Sequence, residues 1–346
     1  MEVQKADNRQ EWDSLLEGAD YATIFHKWEW LKALEAHGGG SLHALMFMKG
    51  DSPAALIPIF MKKRAGLKLV FSPPSQSATP YLGPVFKGYL ELKQNRRESL
   101  IMEFQEAFEA YLREDIRPDY EFVSTTPEFL DIRPWLWAGY EAKPLYNYVF
   151  DLTLGVDALW SGLKRELRNE ITRAQKANIT VREGDRKDYL TLISEIKDRY
   201  DAQGISEPTS IALLTEFFDS FYLSNLRVLI AEHEGQRVGG MVDLIHGGTT
   251  LSWIGGVKSD VSGASPNALL QWEGISRAAQ TGQKRYIEMG ANTRRLCSFK
   301  RQFNPYTQQY FNLRRYPNMM LRAVESGYLN LFKPLRNKIS SGRKKQ

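Results

Sequence analysis

The order of strands and turns occurs twice along this chain of 346 residues, and that internal repeat restricts the folds open to it. In the first half, SLHALMFMKGDSPAALIPIFMKKRAGLKLVFSPP alternates apolar, β-rich runs with two turn sequences. In the second half, NLRVLIAEHEGQRVGGMVDLIHGGTTLSWIGGV does the same, with turns at Glu234-Gly235 and Gly247-Gly248. Because turn residues separate short runs of strand formers, each segment predicts a three-stranded meander.

The segments around each meander repeat as well. Two helical stretches precede it, and a helix with an apolar stripe follows, ESLIMEFQEAFEAYLRE in one half and SPNALLQWEGISRAAQTG in the other. Each of these helices leads to a strand, YEFVST or RYIEMG, and later to a last strand, YNYVFDL or QQYFNLR. The sequence therefore predicts an α+β fold of two units, each a mostly antiparallel sheet flanked by helices.

We expect a first domain over residues 1–150, a second over 151–325 and a basic tail over 326–346. The tail is either a solvated terminus or a segment attracted to phosphates, on an anionic membrane or on RNA. The amino terminus has no signal-peptide pattern, and the apolar runs are too short to span a bilayer. These features predict a soluble, cytoplasmic protein that is peripheral to the membrane if the tail binds lipid.

The segment DALWSGLKRELRNEITRAQKANITVREG between the two units predicts an amphipathic basic helix. One face is apolar, and the other faces carry Lys164, Arg165, Arg168, Arg173 and Lys176. These cations either face solvent or point into a groove between the domains.

This organisation resembles two tandem GNAT (acetyltransferase-like) domains, in the arrangement of the FemABX family and of its BioF2-like and cellulose-biosynthesis acetyltransferase relatives. The segments that carry the resemblance are the basic helix LKRELRNEITRAQKANITVREG, then SPNALLQWEGISRAAQTGQKRYIEMGAN, then FKRQF, which is similar to the family's Phe-Lys-x-x-Phe signature. Together they extend the resemblance over about residues 10 to 320.

The resemblance implies transfer of an activated acyl group, often from aminoacyl-tRNA, to an amine on a peptidoglycan precursor. Forming an amide in this way requires a neutral amine, a proton acceptor and positive charge near the tetrahedral oxyanion, but no enzyme nucleophile. We therefore expect no tightly bound cofactor and no covalent enzyme intermediate. The five histidines and single cysteine show no metal-ligand spacing, so no metal site is expected.

Lys300 and Phe299 match the family's Phe-Lys pair, whose lysine lies beside the reacting groups, and they are the catalytic candidates. Lys300 would stabilise the oxyanion or the leaving 3'-hydroxyl, with a solvated surface lysine as the alternative, whereas Phe299 better suits a packing anchor that fixes the loop. Arg294 and Arg295 follow a strand end, where their guanidinium groups suit phosphate. Cys297 lies among these cations, but no nearby histidine supports a nucleophilic role, and we interpret it as packing.

The segment SDVSGASPNALL occupies the place of the GNAT pyrophosphate loop, with Gly263, Ser265 and Asn267 as candidates for binding an anion at a helix start. Asp260 and Ser259 stand where that loop carries a basic residue, which weakens the case for coenzyme A. The alternative role of this segment is that of a helix cap alone.

By the same resemblance, substrate recognition falls to Lys27, Trp28, Arg199, Tyr200 and Trp253, although large aromatic residues are more often core. Three functions remain open: aminoacyl transfer from tRNA to an envelope precursor, acyl-CoA-dependent N-acylation of a sugar or polysaccharide precursor, and non-catalytic binding of tRNA or anionic lipid.

Overall fold

The computed structural model describes residues 1–202, 209–256, 261 and 263–318. The basic tail over 326–346, together with Ser259 and Asp260, lies outside these residues, so the expectations made for them stay predictions. Among the helices that are described, none is both long and apolar enough to cross a membrane.

The first half contains four helices and eight strands. The helices are α1 (Arg9–Leu16), α2 (Trp28–Leu34), α3 (Gln94–Tyr111) and α4 (Arg133–Trp137). The strands are β1 (Glu2–Lys5), β2 (Ala19–Asp20), β3 (Ser41–Lys49), β4 (Ser52–Arg64), β5 (Leu67–Ser72), β6 (Val85–Lys87), β7 (Tyr120–Ser124) and β8 (Glu141–Asp151).

The second half repeats this order with six helices and six strands in its described part. The helices are α5 (Val156–Gly162), α6 (Arg165–Lys176), α7 (Arg186–Ala202), α8 (Ile211–Phe221), α9 (Pro266–Gln280) and α10 (Arg294–Lys300). The strands are β9 (Thr180–Glu183), β10 (Leu226–His233), β11 (Gln236–His246), β12 (Thr249–Gly255), β13 (Arg285–Glu288) and β14 (Tyr306–Arg315).

Both predicted meanders are confirmed: β3, β4 and β5 pair in sequence, and so do β10, β11 and β12. The two meanders belong to one continuous sheet, whose order is β1-β3-β4-β5-β7-β14-β8-β13-β12-β11-β10-β9. In each half the last meander strand has a parallel neighbour, β7 beside β5 and β13 beside β12. The fold is thus the expected mostly antiparallel α+β arrangement, with the two units joined edge to edge.

The two halves exchange their last strands. Strand β8 ends the first half but pairs with β13 of the second, and β14 ends the second half but pairs with β7 of the first. The exchanged strands also pair with each other, from Tyr306 opposite Val149 to Arg314 opposite Glu141. A boundary at residue 150 stays a prediction, and it would place β8 in a different unit from the strand β13 that it pairs with.

Three apolar clusters cover the sheet. One lies under α3 and α4 of the first half, one lies under α6 and α9 of the second, and the third joins the halves. In the joining cluster, Trp30 of α2 stacks on Phe217 of α8 with ring centroids 3.7 Å apart, and Trp253 meets Trp30 edge-on at 5.4 Å. Aromatic stacking of this kind adds to the burial of apolar area, so α2 and α8 hold the halves together on one face of the sheet.

The predicted basic helix is interrupted, because Leu163 and Lys164 adopt extended backbone conformations between α5 and α6. Its apolar stripe is confirmed, since Leu163, Leu167, Ile171 and Ala174 are buried against the second-half cluster. The alternative in which its cations point into a groove between the halves stays a prediction. Helix α6 packs on α9, and its cations are exposed or half-buried.

We expect Leu313→Ala to lower the free energy of unfolding by about 3 kcal/mol, the usual cost of truncating a buried leucine. Leu313 is fully buried on β14, yet it packs in the cluster of the first half. Denaturant unfolding would measure the change, with the 79% exposed Leu223 replaced by alanine as the control. Equal stability of the two variants would contradict the insertion of β14 into the first half.

Candidate active site

In the second half, the parallel pairing between β12 and β13 stops before strand β12 ends. The pairing of β12 with β13 runs from Thr249 opposite Arg285 to Ser252 opposite Glu288. Strand β13 ends at Glu288, whereas β12 continues to Gly255. Beyond Ser252 the backbone of β12 therefore has no strand partner on this side in the described structure, which leaves a place where a ligand can approach main-chain groups.

A pocket of about 640 Å³ opens at this place, between the two halves. The second half contributes Trp253, Ile254, Gly255 and Met289 to its walls, and helices α7 and α8 supply apolar residues. The first half contributes the segment 73–80 and side chains from β5 and β7. Its size is typical of a small-molecule site, and its position touches the free end of β12.

Lys300 lies on the face of the sheet opposite to this pocket. Side chains alternate along a strand, so Met289 packs in the cluster that joins the halves, while Glu288 points to the other face. There the Lys300 ammonium lies 3.3 Å from Glu288 Oε2 and donates a hydrogen bond to the carbonyl oxygen of Met289. These two contacts hold the Lys300 side chain at the end of β13. The side chain is 16% exposed, and it is therefore still accessible to a substrate.

Glu288 is an unusual carboxyl group, because it is fully buried at this strand end. Burial raises the pKa of Glu288, and the nearby positive charge of Lys300 opposes that rise. Oε2 of Glu288 forms no hydrogen bond of good geometry among the described residues, so its polar requirement is met mainly by the ion pair.

A second buried carboxyl group lies two strands away, on β11. Asp243 is fully buried, accepts a hydrogen bond of 3.1 Å from the hydroxyl of Tyr286, and lies 3.5 Å from the guanidinium group of Arg227. Burial raises the pKa of Asp243 to about 6, against the opposing effect of Arg227. Asp243, Ser252 and Glu288 occupy paired positions on β11, β12 and β13, so the second half carries a polar row across its sheet.

Cys297 lies beside Tyr148, the residue that pairs with Glu288 from β8. The hydrogen bond with the thiol, followed by burial, raises the pKa of the Tyr148 hydroxyl. The interpretation of Cys297 as a packing residue stays a prediction.

Of the predicted substrate residues, Trp253 and Tyr200 line the pocket, and Arg199 lies next to it. The indole N–H of Trp253 donates to the carbonyl of Ala78, 2.7 Å away, which links the halves. Arg199 donates to the carbonyl of Gly256, just beyond β12.

Lys27 and Trp28 are not brought to this pocket. They lie at the start of α2, where Trp28 packs against the joining cluster and Lys27 lies near His246. Their role in substrate recognition stays a prediction.

Arg294 and Arg295 open the short helix α10, although the sequence favoured a loop there. Thr293 caps this helix, since its hydroxyl accepts from the backbone N–H of Leu296 at 3.4 Å. Both arginines are exposed, and the helix orders them on the same element as Lys300. The ring of Phe299 meets that of the buried Phe303 edge-on at 5.5 Å, so Phe299 anchors α10 to the core.

Ser265 caps α9, as its sequence predicted, and its hydroxyl accepts from the N–H of Ala268 at 3.3 Å. The carbonyl of Gly263 accepts from Arg173 at 3.3 Å, and Asn267 lies half-buried in the first turn. Since Pro266 has no N–H and that of Ala268 is taken, this helix start offers few donors to an anion.

Four residues near this strand end were not predicted from the sequence: Glu288, Asp243, Arg227 and Tyr148. Their one local signal is a charged or polar residue inside an apolar strand, such as Glu288 in RYIEMG and Asp243 in GGMVDLIH. Which of these groups approach Lys300 depends on strand register, which the local sequence did not reveal.

A larger cavity, with a volume of about 1010 Å³, lies elsewhere, where β14 and the residues after it adjoin the first half. The charged groups around it neutralise one another, for example Arg315 with Glu109 at 2.5 Å and with Glu121 at 2.8 Å. It does not touch the free end of β12, whereas the 640 Å³ pocket does, so we place the candidate site at that strand end, with the pocket on one face of the sheet and Lys300 on the other.

Comparison with known proteins agrees with this architecture. Residues 161–301 match the family described as the acetyltransferase (GNAT) domain. No curated protein sequence matches the chain. A solved structure of FemX is similar with a TM-score of 0.69 and 13% identity, over 94% of this chain and 99% of that one.

Two further structures share the fold. The C-terminal domain of a putative lysylphosphatidylglycerol synthetase from Agrobacterium fabrum gives a TM-score of 0.51 at 14% identity, over 92% of this chain and 97% of that one. A tandem GNAT protein from the clavulanic acid biosynthesis pathway gives 0.50 at 12%, over 90% and 98%. The chain therefore has the tandem GNAT fold. The arrangement of its two units is similar to that of FemX, in agreement with the resemblance seen in the sequence.

The raised pKa of Asp243 predicts a pH-dependent stability difference. A carboxyl group whose pKa is higher in the folded state stabilises the fold below its unfolded pKa, and this contribution is lost as pH rises through about 6. Between pH 4 and pH 7 we expect the unfolding free energy of Asp243→Asn to rise relative to wild type by about 2 kcal/mol. Urea unfolding at both pH values would measure it, and a difference independent of pH would show that Asp243 titrates normally.

Proposed function

We propose that the protein transfers an aminoacyl group from aminoacyl-tRNA to an amine on a cell-wall or envelope precursor. The observation that carries this proposal is the placement of Lys300, whose ammonium group is fixed between Glu288 and the carbonyl of Met289 at the end of β13. Similarity in fold to FemX and to a putative lysylphosphatidylglycerol synthetase supports an envelope acceptor. A tRNA donor would place the reaction in the cytoplasm.

The proposed chemistry depends on the N–H donor of Lys300 that is not directed at a protein group. An ammonium group has three N–H donors, and two of them are directed at Met289 and Glu288. The third can meet the oxyanion that forms when the acceptor nitrogen attacks the ester carbonyl carbon. The new C–N bond stays, the ester C–O bond breaks, and the leaving 3'-oxygen receives the proton that the amine loses. Lys300 thereby stabilises charge that is larger in the transition state than in the ester.

The cations around α10 suit a polyanionic donor. Arg294, Arg295 and Arg301 are all exposed around this helix, on the element that carries Lys300. By contrast, the start of α9 offers few N–H donors to the pyrophosphate of coenzyme A, because Pro266 and the Ser265 cap remove two of them. This difference favours aminoacyl-tRNA over acyl-CoA.

The donor assignment predicts salt-dependent binding of charged tRNA. Exposed arginines bind phosphates by releasing counterions, so the affinity should fall about tenfold or more between 50 and 200 mM salt. Arg294→Ala combined with Arg295→Ala should weaken binding and make the salt dependence shallower. Filter binding would measure both, with Arg113→Ala on the distant first half as control. A stabilising thermal shift with acetyl-CoA, and none with charged tRNA, would favour the CoA-dependent alternative.

Lys300→Met should lower kcat and kcat/KM for transfer together, by about 100-fold to 1000-fold, since it removes one transition-state donor. Glu288→Gln should also lower both parameters, but by less, because it removes the ion pair that positions Lys300 and keeps the Lys300 ammonium group. The exposed Lys284 gives the matched control, Lys284→Met. Transfer of the labelled amino acid from tRNA to the acceptor would be measured, and undiminished transfer by Lys300→Met would refute this role.

A further inference from the structure

The pocket between the halves has mostly apolar walls. Phe71 and Phe122 form the side that belongs to the first half, Ile193 and Ile196 of α7 form another, and Trp253 and Met289 lie beside the free strand end. These residues belong to both halves, so the cavity is enclosed by the same contacts that hold the halves together. Apolar walls of this kind bind the hydrocarbon part of a ligand.

Charge in this pocket is already neutralised. Lys197 is the one charged residue among its described lining residues, and its ammonium forms an ion pair with Asp201, one helical turn on, at 2.8 Å. A phosphate or carboxylate placed there would lose its hydration and would find no unpaired cation among the described lining residues. Burying an unpaired charge is costly, so the pocket disfavours an anionic occupant.

The polar groups on the 73–80 side are largely committed to the protein. The hydroxyl of Ser77 donates to the carbonyl of Pro74 at 2.7 Å, and that of Thr79 donates to the carbonyl of Ser77 at 3.1 Å. The indole N–H of Trp253 donates to Ala78. These donors are therefore not available to an anion.

Among the buried side-chain atoms of the described lining residues, the side-chain oxygen of Asn312 on β14 lacks a hydrogen-bond partner. It is a hydrogen-bond acceptor, so it suits an N–H or O–H of a ligand and repels an anion. An amine or amide on an apolar carrier satisfies this atom, whereas a nucleotide diphosphate does not.

We propose that the acceptor amine is carried on an uncharged apolar chain, alkyl or aromatic, which lies in this pocket with its nitrogen directed to the gap between β12 and Met289. This inference rests on the proposed acyl transfer and specifies the acceptor for it. The two faces of the sheet then have separate tasks: the polyanionic donor approaches the side of Lys300 and α10, and the apolar acceptor approaches the side of Trp253.

The direct test is the affinity of the wild-type protein for hexylamine, octylamine and decylamine, measured by calorimetry below their micelle concentrations. Each buried methylene contributes about 0.8 kcal/mol, so affinity should rise about fourfold per carbon, or about fifteenfold per two-carbon step. Octanoate and uridine diphosphate should bind more weakly than octylamine. Equal affinities along the amine series, or tighter binding of either anion at this pocket, would overturn the inference.

A matched pair of variants locates the binding. Ile196 and Leu190 are both half-buried on α7 and pack against the same cluster, but Ile196 lines the pocket and Leu190 does not. Ile196→Ser should weaken decylamine binding at least fivefold, and Leu190→Ser should leave it within twofold. Equal effects of both would place the amine elsewhere. If Ile196→Ser does not fold, the chain-length series on the wild type decides.

Failure of this inference and failure of the proposed function are distinguishable. Amine binding is measured without any transfer, so Lys300→Met should bind decylamine as the wild type does while losing transfer. A flat amine series with a transfer defect in Lys300→Met would reject the apolar acceptor and keep the acyl transfer.

Discussion

The antiparallel pairing of β8 with β14 is the contact on which the rest of the molecule depends. It joins two sheets into one, and it does so with the strand that ends each half. Because β8 pairs with β13 and β14 pairs with β7, neither half has a complete sheet without residues from the other. The cleft at Trp253 and Met289 is formed across this junction, so its shape follows from the exchange together with the stacking of Trp30 on Phe217.

The charged and polar groups of the candidate site lie close together at the end of β13. Alternation along one strand sends Met289 to the pocket face and Glu288 to the opposite face, where Lys300 neutralises it. A buried carboxylate without that cation would be costly, which ties the position of α10 to the strand end. Phe299 and Phe303 fix the same helix from below. The same helix therefore positions Lys300 and orders two exposed arginines.

Much of the fold could be predicted from the sequence. The turns at Glu234-Gly235 and Gly247-Gly248, the cap at Ser265 and the apolar stripe from Leu163 to Ala174 each have a local physical cause, and all appear in the structure. The site was predicted less completely. Trp253 and Tyr200 line the cleft, and Lys300 lies at the end of β13 on the opposite face of the sheet, whereas Lys27 and Trp28 lie at the start of α2, outside the cleft lining. Glu288 and Asp243 can each be seen in the sequence as an acidic residue inside an apolar strand. Such a residue does not reveal which side chain it will contact in the folded protein.

The sequence by itself determined the repeated α+β units, their meanders and their capped helices, because turn chemistry and apolar periodicity act within a few residues. Only the tertiary structure decided the exchange of β8 and β14, the side of the sheet on which Lys300 meets Glu288, and the neutral, apolar character of the pocket. These depend on strand register and on pairs such as Lys197 with Asp201. Long-range register is set by the summed packing of both halves, and no short segment of the chain contains that information.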